Sequence, residues 1–183
     1  VSTDTITQIT NSTLYDGFRT GGWSPSISSD GNRIAFISNS NLTGENPNNT
    51  LQIFIYNAEQ NGEFTQVTNI TTGNLSKLSI YGNVGISIAF VSSANLTGHN
   101  PDGNPELFLY DNGITTQVTN TLGVDNISPP SISSDGKRIV FSTYADITGE
   151  NPDGNTEIFL LSCNSVEETD SDGDGYSDSI DNC

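Results

Sequence analysis

The stretch SPSISSDGNRIAFISNSNLTGENPNNTLQIFIYN, Ser24 to Asn57, is written out again as PPSISSDGKRIVFSTYADITGENPDGNTEIFLL, Pro129 to Leu161. Between them a third copy keeps only its second half, IAFVSSANLTGHNPDGNPELFLYD, Ile88 to Asp111. A short element precedes each copy: TQITN at Thr7, then TQVTN at Thr65 and Thr116. Phe36, Phe90 and Phe141 step by 54 and 51 residues, as do Phe54, Phe108 and Phe159. One structural unit of roughly fifty residues is therefore stacked along the chain.

Inside a unit apolar residues alternate with period two, the mark of a strand with one buried face. In the first unit Ser24 to Ser28 predicts a short inner strand and Asp30-Gly31 the tight turn that reverses it. Arg33 to Ser38, Gln52 to Tyr56 and Phe64 to Thr68 predict the second, third and fourth strands. Four antiparallel strands per unit is the architecture of a propeller blade. The expected class is all-β, with blades over about 21–69, 72–120 and 126–162 inside a repeat domain of residues 1–163. An acidic connector, residues 164–183, follows it.

Ser29-Asp30-Gly31 and Ser134-Asp135-Gly136, each followed by an apolar strand, carry a resemblance to the TolB-like, WD-like family of β-propeller repeats. It covers about residues 1–162 and implies the propeller fold, not an activity, since propellers host many functions. The middle unit departs from the pattern, with Ile80-Tyr81-Gly82-Asn83-Val84-Gly85 where the turn should be.

Composition limits the function classes. The net charge of −17, from 22 acidic and 5 basic residues, repels a phosphate backbone and removes nucleic acid from the partners. No apolar run approaches the roughly 20 residues of a membrane span, and no signal-like segment opens the chain. It reads as a mature or excised segment with no membrane insertion. Methionine is absent and there are 2 cysteines; with abundant Asn, Ser and Thr this suits an exported protein, extracellular or at a cell surface, bacterial in character. Sequons at Asn11, Asn41, Asn48, Asn69, Asn74, Asn95 and Asn126 are either glycosylation sites or turn-forming asparagines, and turns explain them well enough.

The recurring phenylalanines are expected to pack between neighbouring blades. Trp23 has no counterpart in the other units; it either packs or offers a platform for a sugar or peptide. His99, the only histidine, occupies the column of Glu45 and Glu150, so it reads as an exposed substitution rather than a general base. No catalytic constellation is legible and no enzyme is expected, although a carboxylate pair brought together in space leaves no trace in spacing.

The sharpest chemical signal is DSDGDGYSDSID, residues 170–181. A twelve-residue calcium loop supplies oxygens from positions 1, 3, 5, 7, 9 and 12, with Gly at 6 for the turn. Those positions are Asp170, Asp172, Asp174, the Tyr176 carbonyl, Asp178 and Asp181, with Gly175 at the sixth. Asp181 stands where a longer bidentate Glu is usual, which weakens the site. With Asp181-Asn182-Cys183 the segment resembles a thrombospondin type 3 repeat, which implies structural Ca2+ in an extracellular spacer. Cys163 and Cys183 flank the loop and are expected to bridge in an oxidising compartment, unless Cys183 pairs with a repeat beyond it. The loops NPDGNPE and NPDGNTE place Asp102, Asn104 and Glu106, and Asp153, Asn155 and Glu157, in calcium-like alternation. A merely polar hairpin loop is the simpler reading of both.

The register of the repeat leaves a mismatch. Thr5 to Thr10 reads as a fourth strand with no blade of its own, whereas the last unit ends on a third strand, Glu157 to Leu161. Three blades are too few to close a propeller. The 5–10 strand is therefore expected to complete a last blade in trans, as a closed dimer or an open filament; the other option is that further blades of a longer parent chain meet it. The function expected is a non-enzymatic, self-assembling cell-surface or fibre component; the alternative is the propeller fragment of a secreted carbohydrate-binding protein or hydrolase with a glycan ligand.

Overall fold

The computed structural model describes residues 4–12, 14–15, 18–19, 21–60, 62–82, 85–123 and 126–162, with only the backbone of 14–15 and 18–19. The calcium loop and both cysteines lie outside the described residues. A small antiparallel hairpin, β1 (Leu14–Tyr15) and β2 (Phe18–Arg19), comes first; the sequence gives no period-two run that announces it. The first blade is β3 (Gly22–Ile27), β4 (Arg33–Ser38), β5 (Gln52–Asn57) and β6 (Glu63–Gln66), in the order β3-β4-β5-β6. The second is β7 (Leu75–Tyr81), β8 (Ser87–Ser92), β9 (Glu106–Asp111) and β10 (Ile114–Gln117), paired in the same way. The third has three strands, β11 (Ser131–Ile132), β12 (Arg138–Thr143) and β13 (Glu157–Ser162). All pairing is antiparallel, no helix occurs among the described residues, and the stack does not close into a ring. The fold is an incomplete propeller of two four-stranded blades and one of three strands.

The repeat sets the register. Phe36 lies opposite Phe54, Phe90 opposite Phe108 and Phe141 opposite Phe159, and each pair stacks at 6.1, 5.6 and 5.7 Å between ring centres. One core joins Ala35, Ile37, Ile53 and Ile55 of the first blade to Leu78, Ile80, Ile88, Phe90 and Phe108 of the second. Another joins Ala89, Val91, Leu107 and Leu109 to Ile127, Ile139 and Phe141, with Phe159 against them. The first and second blades thus turn their aliphatic faces to the blade that follows, and the second and third turn their phenylalanine faces to the blade before. The phenylalanines of the second and third blades pack between blades as expected.

The innermost strands are tied across blades: Ile80 N donates to Ser26 Oγ at 3.2 Å and Ile132 N to Ser79 Oγ at 3.4 Å. Two of these strands carry a bulge that the sequence does not reveal. The β3 to β4 register shifts between Trp23 and Ser26, the β7 to β8 register between Ser76 and Leu78, with Ser24 and Lys77 at φ 50° and 55°.

The Asp-Gly turns form as expected. Ser28 Oγ donates to Asp30 Oδ1 at 2.5 Å, and the same carboxylate accepts Asn32 N at 3.1 Å. Ser133, Asp135 and Lys137 repeat the arrangement in the third blade. The middle blade substitutes Asn112, whose Oδ1 accepts Ile86 N at 3.1 Å and whose backbone N–H reaches Ile86 O at the same distance.

Residues 5–10, expected to complete a last blade in trans, belong to no sheet within the single chain. The edge they match, β13, lies in the last blade, whereas Ser12 is held beside the first by the hydrogen bond from Ser40 Oγ at 3.0 Å. The intervening blade separates the two within one open chain.

Candidate functional site

The third strand of each blade opens with a polar residue that the sequence ties to no partner: Gln52, Glu106 and Glu157. In the first two blades it is fully buried, with Gln52 1% and Glu106 0% exposed. A buried polar side chain must find hydrogen bonds, and both find them in the TQVTN element and the residue beyond it. Gln52 Oε1 accepts Thr68 Oγ1 at 2.8 Å and Ile70 N at 2.9 Å, while Gln52 Nε2 donates to Ile70 O at 2.8 Å. Glu106 accepts Thr119 Oγ1 on one oxygen; on the other it accepts Thr121 N at 2.6 Å and Thr121 Oγ1 at 2.9 Å. The same threonine closes the strand edge, since Ile53 N donates to Thr68 Oγ1 and Leu107 N to Thr119 Oγ1, both at 2.9 Å. Gln66 and Gln117 brace the element by donating from Nε2 to Thr68 O at 2.8 Å and Thr119 O at 2.9 Å.

The third blade keeps half of this latch. Glu157 is exposed, and among the described residues no strand pairs with the outer edge of β13. Its aliphatic face is open too. Val140, Ile158 and Leu160 are 40%, 77% and 61% exposed, where Ala89, Leu107 and Leu109 in the second blade are 0%, 0% and 5%. The described molecule therefore carries one contiguous unfinished surface, an edge and a face of the same sheet.

A second feature lies between the inner strands. The two bulges frame a cavity of about 380 Å³ lined by Trp23, Ser24, Ile37, Leu51, Leu75, Ser76 and Lys77. Trp23 is 46% exposed, so its ring is half available, and Lys77 Nζ is directed to Ile127 O at 3.4 Å.

The NPDGN loops do not gather their acidic residues. Glu106 is consumed by the latch, Asp102 is exposed, and Asp153 accepts Asn155 Nδ2 at 3.0 Å. Among the described residues no three His, Cys, Asp or Glu side chains converge as metal ligands. His99 is exposed, at the rim of a groove of about 440 Å³ along Thr115 to Asn120. The seven sequon asparagines are all exposed. Two of them do structural work: Asn41 Oδ1 accepts Asn46 N at 2.8 Å and Asn95 Oδ1 accepts Asn100 N at 2.9 Å, and Asp146 does the same for Asn151 N at 2.8 Å.

No family profile and no curated protein matches the chain. Among solved structures it is similar to TolB from Acinetobacter baumannii, with a TM-score of 0.54 and 21% identity. The similarity covers 79% of this chain and 30% of that one. The chain thus spans under a third of that neighbour's length, and the likeness is one of fold.

Proposed function

We propose that this protein is a non-enzymatic, propeller-type interaction module, exported to the cell exterior or surface, that builds a larger assembly from its own blades. The observation that carries this reading is the open end of the stack: Val140, Ile158 and Leu160 exposed where their counterparts are buried. Apolar surface of this kind at the end of a repeat array marks either a missing cap or a place where another body docks. The −17 charge keeps such an array soluble away from its docking face. The acidic segment from Asp170 to Asp181 supplies, on this reading, a connector stiffened by Ca2+, with Cys163 and Cys183 bridged around it. Blades of a longer parent chain would meet the same face in the same way.

Light scattering on the full chain across a concentration series tests the reading. The expected result is concentration-dependent growth of the mass beyond 19.5 kDa; a constant monomer mass up to millimolar protein refutes it.

The Trp23 cavity supports a second reading, a module that binds a glycan or peptide. A half-exposed indole over an apolar pocket of about 380 Å³ suits a sugar ring. A glycan array with a Trp23→Ala control decides it: specific binding lost in the variant supports this reading, and no binding by the parent chain removes it.

A further inference from the structure

We infer that the outer edge of β13 is a strand-acceptor site whose occupant is the Thr7 to Ser12 segment of a second copy of this chain, locked by Glu157. The inference rests on the self-assembly reading above and names the joint.

Among the described residues no strand pairs with this edge, and the first two blades define the pairing it would accept. In the first two blades the fourth strand pairs Gln66 with Phe54 and Gln117 with Phe108. Val67 N then donates to Ile53 O, and Val118 N to Leu107 O, both at 2.8 Å. Carried to the third blade, this register sets Gln8 of the second copy opposite Phe159. Its Ile9 N–H reaches the Ile158 carbonyl, and its Thr10 hydroxyl receives the Ile158 N–H. Thr10 Oγ1 and Ser12 N then meet the Glu157 carboxyl, as Thr119 and Thr121 meet Glu106. Glu157 changes from an exposed side chain to a latched one.

The donor is already shaped for this. Gln8 Nε2 donates to Thr10 O at 2.7 Å, the brace that Gln66 and Gln117 make within paired strands. Thr7 to Ser12 holds that brace while belonging to no sheet, so docking orders little new backbone. Ile6 is 100% exposed. Its counterpart Phe64 packs on Tyr56 at 5.4 Å and Phe36 at 6.1 Å, which assigns Ile6 to Leu161 and Phe141 of the acceptor.

Continuity of the chain accounts for the open face as well. Beyond the latch in the first blade, Ile70 enters the inter-blade core and the chain becomes the inner strand of the next blade. Beyond Ser12 the donor likewise leads into its own first blade, which arrives on the side of Val140, Ile158 and Leu160. One joint thus completes the edge and brings a body to the face.

Two prolines test the joint. Ile9→Pro removes the donor N–H that the register requires, and Ile158→Pro removes the acceptor N–H that points away from β12. Among the described residues neither N–H belongs to a ladder. By sedimentation velocity each variant alone is expected to associate at least roughly tenfold more weakly than the parent chain. Mixed one to one, the intact acceptor of Ile9→Pro and the intact donor of Ile158→Pro are expected to form a heterodimer that goes no further. Circular dichroism on each variant confirms that strand content is retained. A parent chain that associates while Ile9→Pro associates equally well overturns this joint and leaves the self-assembly reading standing. Folded variants that fail to pair when mixed overturn it too, and a parent chain that never associates removes both.

Discussion

Removing the Glu106 side chain with Glu106→Ala is expected to cost the second blade about 3–4 kcal/mol. The carboxyl is fully buried and accepts three hydrogen bonds, from Thr119 Oγ1, Thr121 N and Thr121 Oγ1. Each buried bond contributes about 0.5–1.5 kcal/mol net, and the orphaned Thr121 N–H adds a desolvation cost of about 1–3 kcal/mol. Some of the lost bonding returns through water entering the space left behind. Glu106→Gln is expected to cost about 1 kcal/mol or less, because Gln52 performs the same role in the first blade with the equivalent threonine, Thr68, and the backbone of the equivalent residue, Ile70. Urea unfolding monitored by circular dichroism and tryptophan fluorescence gives both values, provided the two probes coincide. An Ala variant within about 1 kcal/mol of the parent, or a Gln variant as damaged as the Ala one, would refute the latch and weaken the case for Glu157 as its empty counterpart.

Ser28 and Ser133 hydroxyls, helped by the Asn32 and Lys137 N–H groups, hold the Asp30 and Asp135 carboxyls below the ordinary aspartate value of 3.8. A folded pKa below the unfolded one adds stability above pH 3.8, which is lost as pH falls through the lowered folded value. Melting temperatures between pH 5 and 2.5 are expected to fall less steeply in the Asp30→Asn, Asp135→Asn double variant than in the parent. Gly82 sits at φ 133°, and a Cβ there would lie 1.8 Å from Gly85 O; Gly82→Ala is expected to cost about 2–3 kcal/mol by denaturant titration. Gly21→Ala, with nothing within 4 Å of its Cβ, is the matched control, expected within about 0.5 kcal/mol of the parent. Calorimetric titration is expected to show calcium binding with a Kd on the order of 0.1–1 mM, abolished in Asp172→Asn with Asp174→Asn; no heat at millimolar calcium removes the loop assignment.

The fold was legible because the repeat prints the same period-two run and the same turn more than once. Arg33–Ser38 and the turn at Asp30-Gly31 fall where the alternation and the Asp-Gly pair put them. The bulges at Ser24 and Lys77 were not legible, since a single positive φ in a Ser or Lys leaves no residue signature of the kind glycine provides. The hairpin at Leu14–Tyr15 and Phe18–Arg19 was hidden for another reason: two-residue strands are too short to show a period. The Thr5 to Thr10 segment is a different case. Its local pattern is that of a fourth strand, but a strand exists only against an edge, and within one chain the matching edge is two blades away.

The latch is present in the sequence as a column of the repeat rather than as a local motif. Gln52, Glu106 and Glu157 share a column, and Thr68 and Thr119 follow the first two by 16 and 13 residues. Read one loop at a time, Glu106 looked like the third oxygen of a calcium alternation; read across the repeat, a column shared by Gln and Glu excludes a need for charge and requires only an acceptor. The same comparison down the columns exposes the asymmetry of the stack. Phe36 and Phe54, on the face that no blade precedes in this chain, are 3% and 0% exposed, while Ile158 and Leu160 at the other end are 77% and 61% exposed. An array with one covered and one open end is polar, and the joint inferred above, donor segment to β13 edge, would meet unlike surfaces and be heterologous. The rotation at the joint then sets the outcome: two copies would close a six-bladed ring if the third-to-first joint repeats the angle of a closed propeller, and a rotation that does not close would propagate as a filament.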